Sequence, residues 1–323
     1  MTNESVPACA CCGGTRLTTL PAFEAAFVAR YALGRPPRPA QCHVCLSCGF
    51  RSFRDGYSSA QADRLYREYR GAGYVAARRR AEPWYSQRIN DRIGASPEEI
   101  ERRRARVVKL LGAAVPLDSV QTVIDYGGDR GQFIPPDLGS ERFVVEVSNA
   151  LPVPGVTRLE PTDARQADLV LCCHVLEHAT APDVALAQLV ARHLKVDGTI
   201  YIEVPVERYD LRFVPSTGRA RRLYEGYLRS VARSRLAYTA VDFYSTAARL
   251  KFNVVPPLGF FKKHEHINFF AAESLSALMR RSGLEVITSS MVPDSEGKVF
   301  SQVLVGIGRK TTAAQSLVEP TVL

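Results

Sequence analysis

From Val120 onward the chain alternates short apolar runs with amphipathic ones. Thr122–Tyr126, residues 143–147, Ala167–Cys173 and residues 199–204 are compact β-type runs, the pattern of strands buried on both faces of a parallel sheet. Residues 183–194 have helical spacing and are followed by Asp197-Gly198, a glycine stop. A helix over residues 272–282 and strands over 284–289 and 301–308 continue the series, the last two spaced to pair as an antiparallel edge. Such alternation predicts an α/β fold with a Rossmann-like, doubly wound, mostly parallel sheet. Residues 206–263 break the rhythm with Tyr, Arg and Pro and predict a helical cap inserted into the domain.

Upstream, residues 58–117 read as helical. Ser96-Pro97-Glu98-Glu99 offers an N-cap hydroxyl, a first-turn proline and a glutamate three residues on, and Ile100, Val107, Leu110 and Leu111 follow at helical spacing. The chain therefore divides into a cysteine-rich module over 1–57, a helical connector over 58–118, a main domain over 119–310 that carries the cap at 206–263, and a tail over 311–323 with little periodicity.

Composition changes this picture little. A 46% hydrophobic share is enough for a substantial core, and no unbroken apolar stretch has the ~18–20 residues of a membrane span. With no signal-peptide pattern at the start, the expectation is a cytoplasmic protein without a membrane partner, of open oligomeric state. The net charge of +9 favours phosphate-bearing partners without choosing between small molecules and nucleic acid, and the runs Arg78-Arg79-Arg80 and Arg102-Arg103-Arg104 read first as solvated helix faces.

Six of the eight cysteines lie between Cys9 and Cys48. Cys9-x-x-Cys12-Gly13 and Cys45-x-x-Cys48-Gly49 are two thiolate knuckles, each followed by a glycine that tolerates the bend, and together they can close a tetrahedron around a structural Zn²⁺. Cys42 is a rival for one ligand position, Cys11 is an extra, and His43 reads as solvent-facing. Four thiolates leave no open position, so the metal is expected to have no catalytic role.

Strand 122–126 ends in Asp125 and runs into Gly127-Gly128-Asp129-Arg130-Gly131. Glycines there let backbone approach a ligand, and a following helix would add free N–H groups. Glu146 closes the next strand ~20 residues downstream, where a carboxylate can accept both hydroxyls of a ribose.

Over residues 120–310 the chain resembles the class I S-adenosylmethionine-dependent methyltransferases. Asp125-x-Gly127-x-x-x-Gly131 is similar to their first motif, Glu146 stands at their ribose-binding acid, and Asp168 to His178 looks like their fourth-strand motif, followed by a leucine-lysine-x-x-glycine helix end at Leu194 to Gly198. The resemblance implies S-adenosylmethionine as cofactor, with Asp125 near its methionine portion, Gly127 and Gly131 shaping its loop, and Cys173 and His174 lining its pocket. Two features depart from the family pattern. Asp129 replaces the middle glycine, and Pro135-Pro136 shortens the first helix; the acid contacting adenine is open between Glu160 and Asp163.

His264-Glu265-His266-Ile267-Asn268-Phe269-Phe270 resembles a segment of the sugar C-methyltransferases, which also join an N-terminal zinc module to this fold and use a Glu-His pair. That resemblance implies His266 as the base and Glu265 as its companion, acting on a sugar or nucleotide-linked sugar. His178, beside Glu177, is a further catalytic candidate that more simply orients the loop after strand four. O-methylation of a glycan precursor is the near alternative. An RNA methyltransferase gripping substrate with its zinc module is another, and a degenerate binding subunit is the non-enzymatic one.

Overall fold

The computed structural model describes residues 8–53, 55–92, 96–148, 150–160, 162–207, 209–294 and 302–311. The expected tail lies outside them apart from Thr311.

Seven strands form the main sheet: β4 (Thr122–Tyr126), β5 (Glu141–Val145), β6 (Thr157–Leu159), β7 (Ala167–Cys173), β8 (Leu194–Pro205), β11 (Leu284–Pro293) and β12 (Gln302–Lys310). Their order is β11-β12-β8-β7-β4-β5-β6. Pairs from β8 to β6 are parallel, whereas β12 lies antiparallel between β8 and β11, so the expected antiparallel edge is present. The chain leaves β4 towards β5 on one side, while β7 lies on the other. Such a reversal opens a crevice at the carboxyl ends of the strands.

Helices α6 (Pro182–His193) and α9 (Ala272–Arg281) cover one face of the sheet; Leu186, Leu189, Leu275 and Leu278 pack on Ile200, Ile202 and Leu304. The side chain of Lys310 donates to the carbonyls of Val190 and Leu194 at the end of α6, a cation placed where helix carbonyls lack partners. α5 (Pro97–Gly112) crosses the opposite face, burying Val107 and Leu111 against Val123, Leu169, Leu171 and Tyr201, and its Ser96 hydroxyl accepts the Glu99 N–H at 3.2 Å as the N-cap pattern predicts.

Here the structure corrects one expectation. No helix follows the glycine loop: residues 128–139 are turns. Pro135-Pro136 removes two donors and biases Ile134 away from the helical region, so the face is closed by α5 together with Ile134 and Leu138. Strand β6 escaped the sequence reading because three residues leave no periodicity to detect.

The cysteine module has its own sheet: β1 (Leu17–Glu24), β2 (Pro39–Cys45) and β3 (Arg51–Phe53), with α1 (Ala26–Tyr31) after β1. The order of this sheet is β10-β3-β2-β1-β9, and its outer members come from far downstream, β9 (Lys262–Lys263) beside β1 and β10 (Asn268–Phe269) beside β3. The sheet therefore joins residues 17–53 to residues 262–269. α2 (Ser59–Tyr66), α3 (Ala72–Ala81) and α4 (Gln87–Arg92) form the connector with α5. α7 (Gly218–Ala232) and α8 (Arg235–Phe252) form the cap. Tyr74, Tyr224, Leu228 and Tyr238 from these helices share one core with Phe23, Phe27 and Phe261.

Candidate active site

A cavity of about 760 Å³ opens at the carboxyl ends of β4 and β7. One end is the glycine loop. Gly127, Gly128 and Asp129 line it with Asp125, Glu146, Cys173 and His174. Gly127 has φ +69°, and a Cβ there would stand 2.6 Å from Val175 Cγ2. A Cβ on Gly128 would meet the Asp125 carboxyl at 2.1 Å. Side chains are thus excluded where backbone must come close to a ligand. Asp129 takes φ +57°, so the loop still demands a left-handed residue where the family has glycine; aspartate is among the few others that adopt it readily. Gly131, at φ +70°, shapes the far side of the turn against Val156.

The two oxygens of Glu146 accept the backbone N–H groups of Asp129 (3.0 Å) and Ser148 (2.8 Å), which orient the carboxylate at the cavity wall. Asp125 is 1% exposed, and its Oδ2 has no hydrogen-bond partner. Burial, reinforced by the charge of Glu146, pushes its carboxyl up to about 7. Three acids and a cradle without side chains fit a cationic ligand with a ribose, so the donor set suits S-adenosylmethionine. Neither Glu160 nor Asp163 lines the cavity; Asp163 caps the Glu160 N–H at 2.9 Å.

From the loop onward the cavity is lined by four histidines, His174, His178, His264 and His266. His174 has φ +59° and sits between two buried carboxylates, 3.1 Å from Glu203 and 3.3 Å from Glu177. Burial alone would lower its imidazole, but the two acids raise it. Arg106 binds Glu203 through two contacts of 2.8 and 2.9 Å, and the Tyr201 hydroxyl donates to the same carboxylate at 2.9 Å. This network holds the loop after β7 against α5 and β8.

His178 and His266 face each other, ring centroids 4.7 Å apart. His178 Nδ1 lies 2.9 Å from the Tyr66 hydroxyl and 3.1 Å from the Glu265 carbonyl. His266 Nδ1 lies 2.8 Å from Glu207. Burial opposes charging in both rings. In His266 the Glu207 carboxylate prevails and raises the imidazole to about 9, while the charge of His266 helps keep His178 below the usual histidine range. The expected companionship of Glu265 and His266 takes a different form: the Glu265 carboxylate turns to Tyr74, Arg78 (3.1 Å) and His264 (3.4 Å), and the acid that serves His266 is Glu207. The chain bends at Glu265 between the strands at 262–263 and 268–269, and these neighbours take separate partners.

The segment is fixed from both sides. Ile267 and Asn268 N–H groups donate to the Glu177 carbonyl at 2.8 and 3.0 Å, the Asn268 side chain donates to Leu176 and Ala179 carbonyls, and β10 pairs with β3. The cysteine module thereby buttresses the histidines. Its own four expected ligands converge: Sγ atoms of Cys9 and Cys48, and of Cys12 and Cys45, are 3.6 Å apart, and all four lie within 4.8 Å of one another. Cys11 and Cys42 are buried outside this set.

Sequence reasoning missed the wall formed by the connector, Tyr66, Tyr69, Trp84 and Tyr85, and it missed Glu207. The tyrosines at apolar helix positions were the available signal. The arginine runs are also more than solvated faces: Arg78 pairs with Glu82 and Glu265, Arg103 with Glu99, and Arg106 was not singled out at all.

A glycine loop at the switch point of a parallel sheet, with the Glu146 carboxylate one strand away, is the place where open α/β sheets bind their ligands. A family described as the methyltransferase domain matches residues 98–289, more than half of the chain. The chain belongs to this methyltransferase family, and it is an S-adenosylmethionine-dependent methyltransferase. Among solved structures it is similar to 1,6-didemethyltoxoflavin-N1-methyltransferase of Burkholderia thailandensis, with 18% identity over 73% of this chain and 88% of that one and a TM-score of 0.41. It is also similar to the N-methyltransferase NodS of Bradyrhizobium japonicum, with 12% identity over 67% and 98% and a TM-score of 0.36. A third is the CurJ carbon methyltransferase, with 11% identity over 74% and 62% and a TM-score of 0.42. No curated protein sequence matches. Among the described residues no helix is long and apolar enough to cross a membrane.

Proposed function

We propose that the protein methylates a small polar acceptor, a sugar or a nucleotide-linked sugar, at carbon or oxygen. The observation that carries this reading is that one cavity runs from the Gly127 loop to His178 and His266, so a cofactor and an acceptor can occupy the same space. When bound, S-adenosylmethionine supplies an electrophilic methyl group. The protein's task is then positioning, worth up to ~7–11 kcal/mol when reacting atoms are held in line.

In this reading Asp125, Gly127, Gly131 and Glu146 seat the cofactor, with Cys173 and His174 closing its pocket. His178 and His266 orient the acceptor. Glu265, tied to Arg78 and Tyr74, fixes the backbone that carries His266. Arg249 lines the cavity, donates to the Tyr209 hydroxyl at 2.9 Å, pairs with no carboxylate within ion-pair distance among the described residues, and is suited to a phosphate of a nucleotide-linked acceptor. Cys9, Cys12, Cys45 and Cys48 hold a structural Zn²⁺ in the same proposal. Arg78, Arg103 and Arg106 are engaged by acids of the protein itself, which weighs against these three as contacts for RNA.

Labelled S-adenosylmethionine incubated with a panel of nucleotide sugars, free sugars and total RNA tests the acceptor. Label appearing in a sugar product is expected; label in RNA alone would overturn the reading.

A further inference from the structure

We propose that Glu177, His178 and His266 form a site for one divalent first-row transition-metal ion at the acceptor end of the cavity. The three side chains offer one ligand atom each, all within 4.8 Å of one another. Two imidazoles and a carboxylate are a borderline nitrogen and oxygen set, unlike the four thiolates of the cysteine cluster, and suit Mn²⁺, Fe²⁺, Co²⁺ or Zn²⁺.

The orientation of the rings is the stronger argument. A metal-binding histidine uses one ring nitrogen for the ion and commits the other to a carboxylate or backbone carbonyl. Both rings here have that arrangement: Nδ1 of His266 meets the Glu207 carboxylate at 2.8 Å, and Nδ1 of His178 meets the Glu265 carbonyl at 3.1 Å and the Tyr66 hydroxyl at 2.9 Å. The Nε2 atoms are left for a ligand, and His178 Nε2 lies 4.0 Å from Glu177 Oε1, too far for a hydrogen bond.

Glu177 supplies an independent observation. It is 1% exposed, and neither carboxylate oxygen receives an aligned hydrogen bond among the described residues; the 3.3 Å approach of His174 Nδ1 is its closest ion pair. A buried carboxylate in that condition is costly unless a cation completes its surroundings. The two segments that carry the ligands are already clamped by the bonds from Ile267 and Asn268 to the Glu177 carbonyl, so little ordering remains to be done on binding. Three protein ligands leave coordination positions open, and an acceptor oxygen fits there. The site stands on this geometry alone and does not depend on which acceptor is methylated.

The test uses the full chain and Mn²⁺, which oxygen and nitrogen ligands hold far better than thiolates do. Loss of the free-ion electron paramagnetic resonance signal should report a single Mn²⁺ per chain, and Glu177→Gln and His178→Asn should each weaken binding by at least about tenfold. On the unaltered protein, Mn²⁺ should shield His178 and His266 from diethyl pyrocarbonate while His43 reacts as before. Wild-type protein that leaves millimolar Mn²⁺ free, unchanged affinity in both variants, or absence of shielding would each overturn the proposal. Calorimetry with S-adenosylhomocysteine on the same samples separates the two readings: metal failure with cofactor binding intact rejects this site only.

Discussion

The Glu146 carboxylate accepts the backbone N–H of Asp129 at 3.0 Å, and Asp129 offers that N–H from a left-handed conformation at φ +57°. An acid on one strand end is thus aimed by a backbone donor in the loop of its neighbour. Glu146→Gln turns a uniform acceptor into a group that presents its own N–H to two backbone donors or gives up one of them. Calorimetry should show S-adenosylmethionine affinity falling by at least about tenfold, in keeping with ~1–3 kcal/mol for an unsatisfied buried partner. Asp129→Gly should retain binding, whereas Asp129→Val should lose about 1–3 kcal/mol of stability because a β-branched residue resists that conformation.

Gly127→Ala should abolish measurable cofactor binding in the same assay, since the new Cβ would stand 2.6 Å from Val175 Cγ2 at a positive φ. Adding Val175→Ala removes the clash but not the strained φ. Partial recovery in the double variant, measured beside each single change, is the expected result.

Asp125 makes cofactor affinity depend on pH. Its carboxyl stands at about 7, raised by burial and by Glu146 and Asp129, with Arg103 opposing. A cationic ligand prefers the ionised form, so affinity should fall by up to about tenfold per unit below that pH and level off above it. Stability moves the other way. The folded state favours the protonated acid, so this contribution is present in full below about pH 4 and is lost as pH rises through 7. Asp125→Asn should flatten both profiles, as calorimetry and thermal melts across pH 5–9 would show.

Removing the metal from the cysteine cluster should damage catalysis at a distance. A structural Zn²⁺ contributes ~10–16 kcal/mol to small modules, so Cys48→Ser or a strong chelator should sharply lower the melting temperature of the module. Because β10 pairs with β3, acceptor turnover should drop more steeply than cofactor binding.

Breaking the buried pair under the loop should cost more than a surface change. Arg106→Met leaves Glu203 with only Tyr201 and His174, and about 3–5 kcal/mol of stability should be lost in denaturant titration. Arg67→Met, which breaks the exposed pair with Asp63, should stay within about 1 kcal/mol.

Much of the fold was legible because strands buried on both faces leave continuous apolar runs: β4, β5, β7 and β8 all fall where those runs lie. The glycine loop and Glu146 were legible for the same local reason, since their spacing encodes the bend. The missing first helix was half visible in Pro135-Pro136, but that α5 takes over its covering role depends on a packing no short window records. Glu207 as the partner of His266, and Tyr66 as the partner of His178, are contacts between residues 59 and 112 positions apart.

The strand partners of Phe23 and Glu24 are Lys262 and Lys263. During synthesis the amino-terminal cysteines therefore emerge long before the sheet beside them can close, and its last strand, β10, arrives with His264 and His266. Closure of the cysteine module's sheet and closure of the cavity are for that reason a single late event. A version of this enzyme lacking residues 8–53 should fail to mature, and its cysteine unit should not work as a transplantable tag.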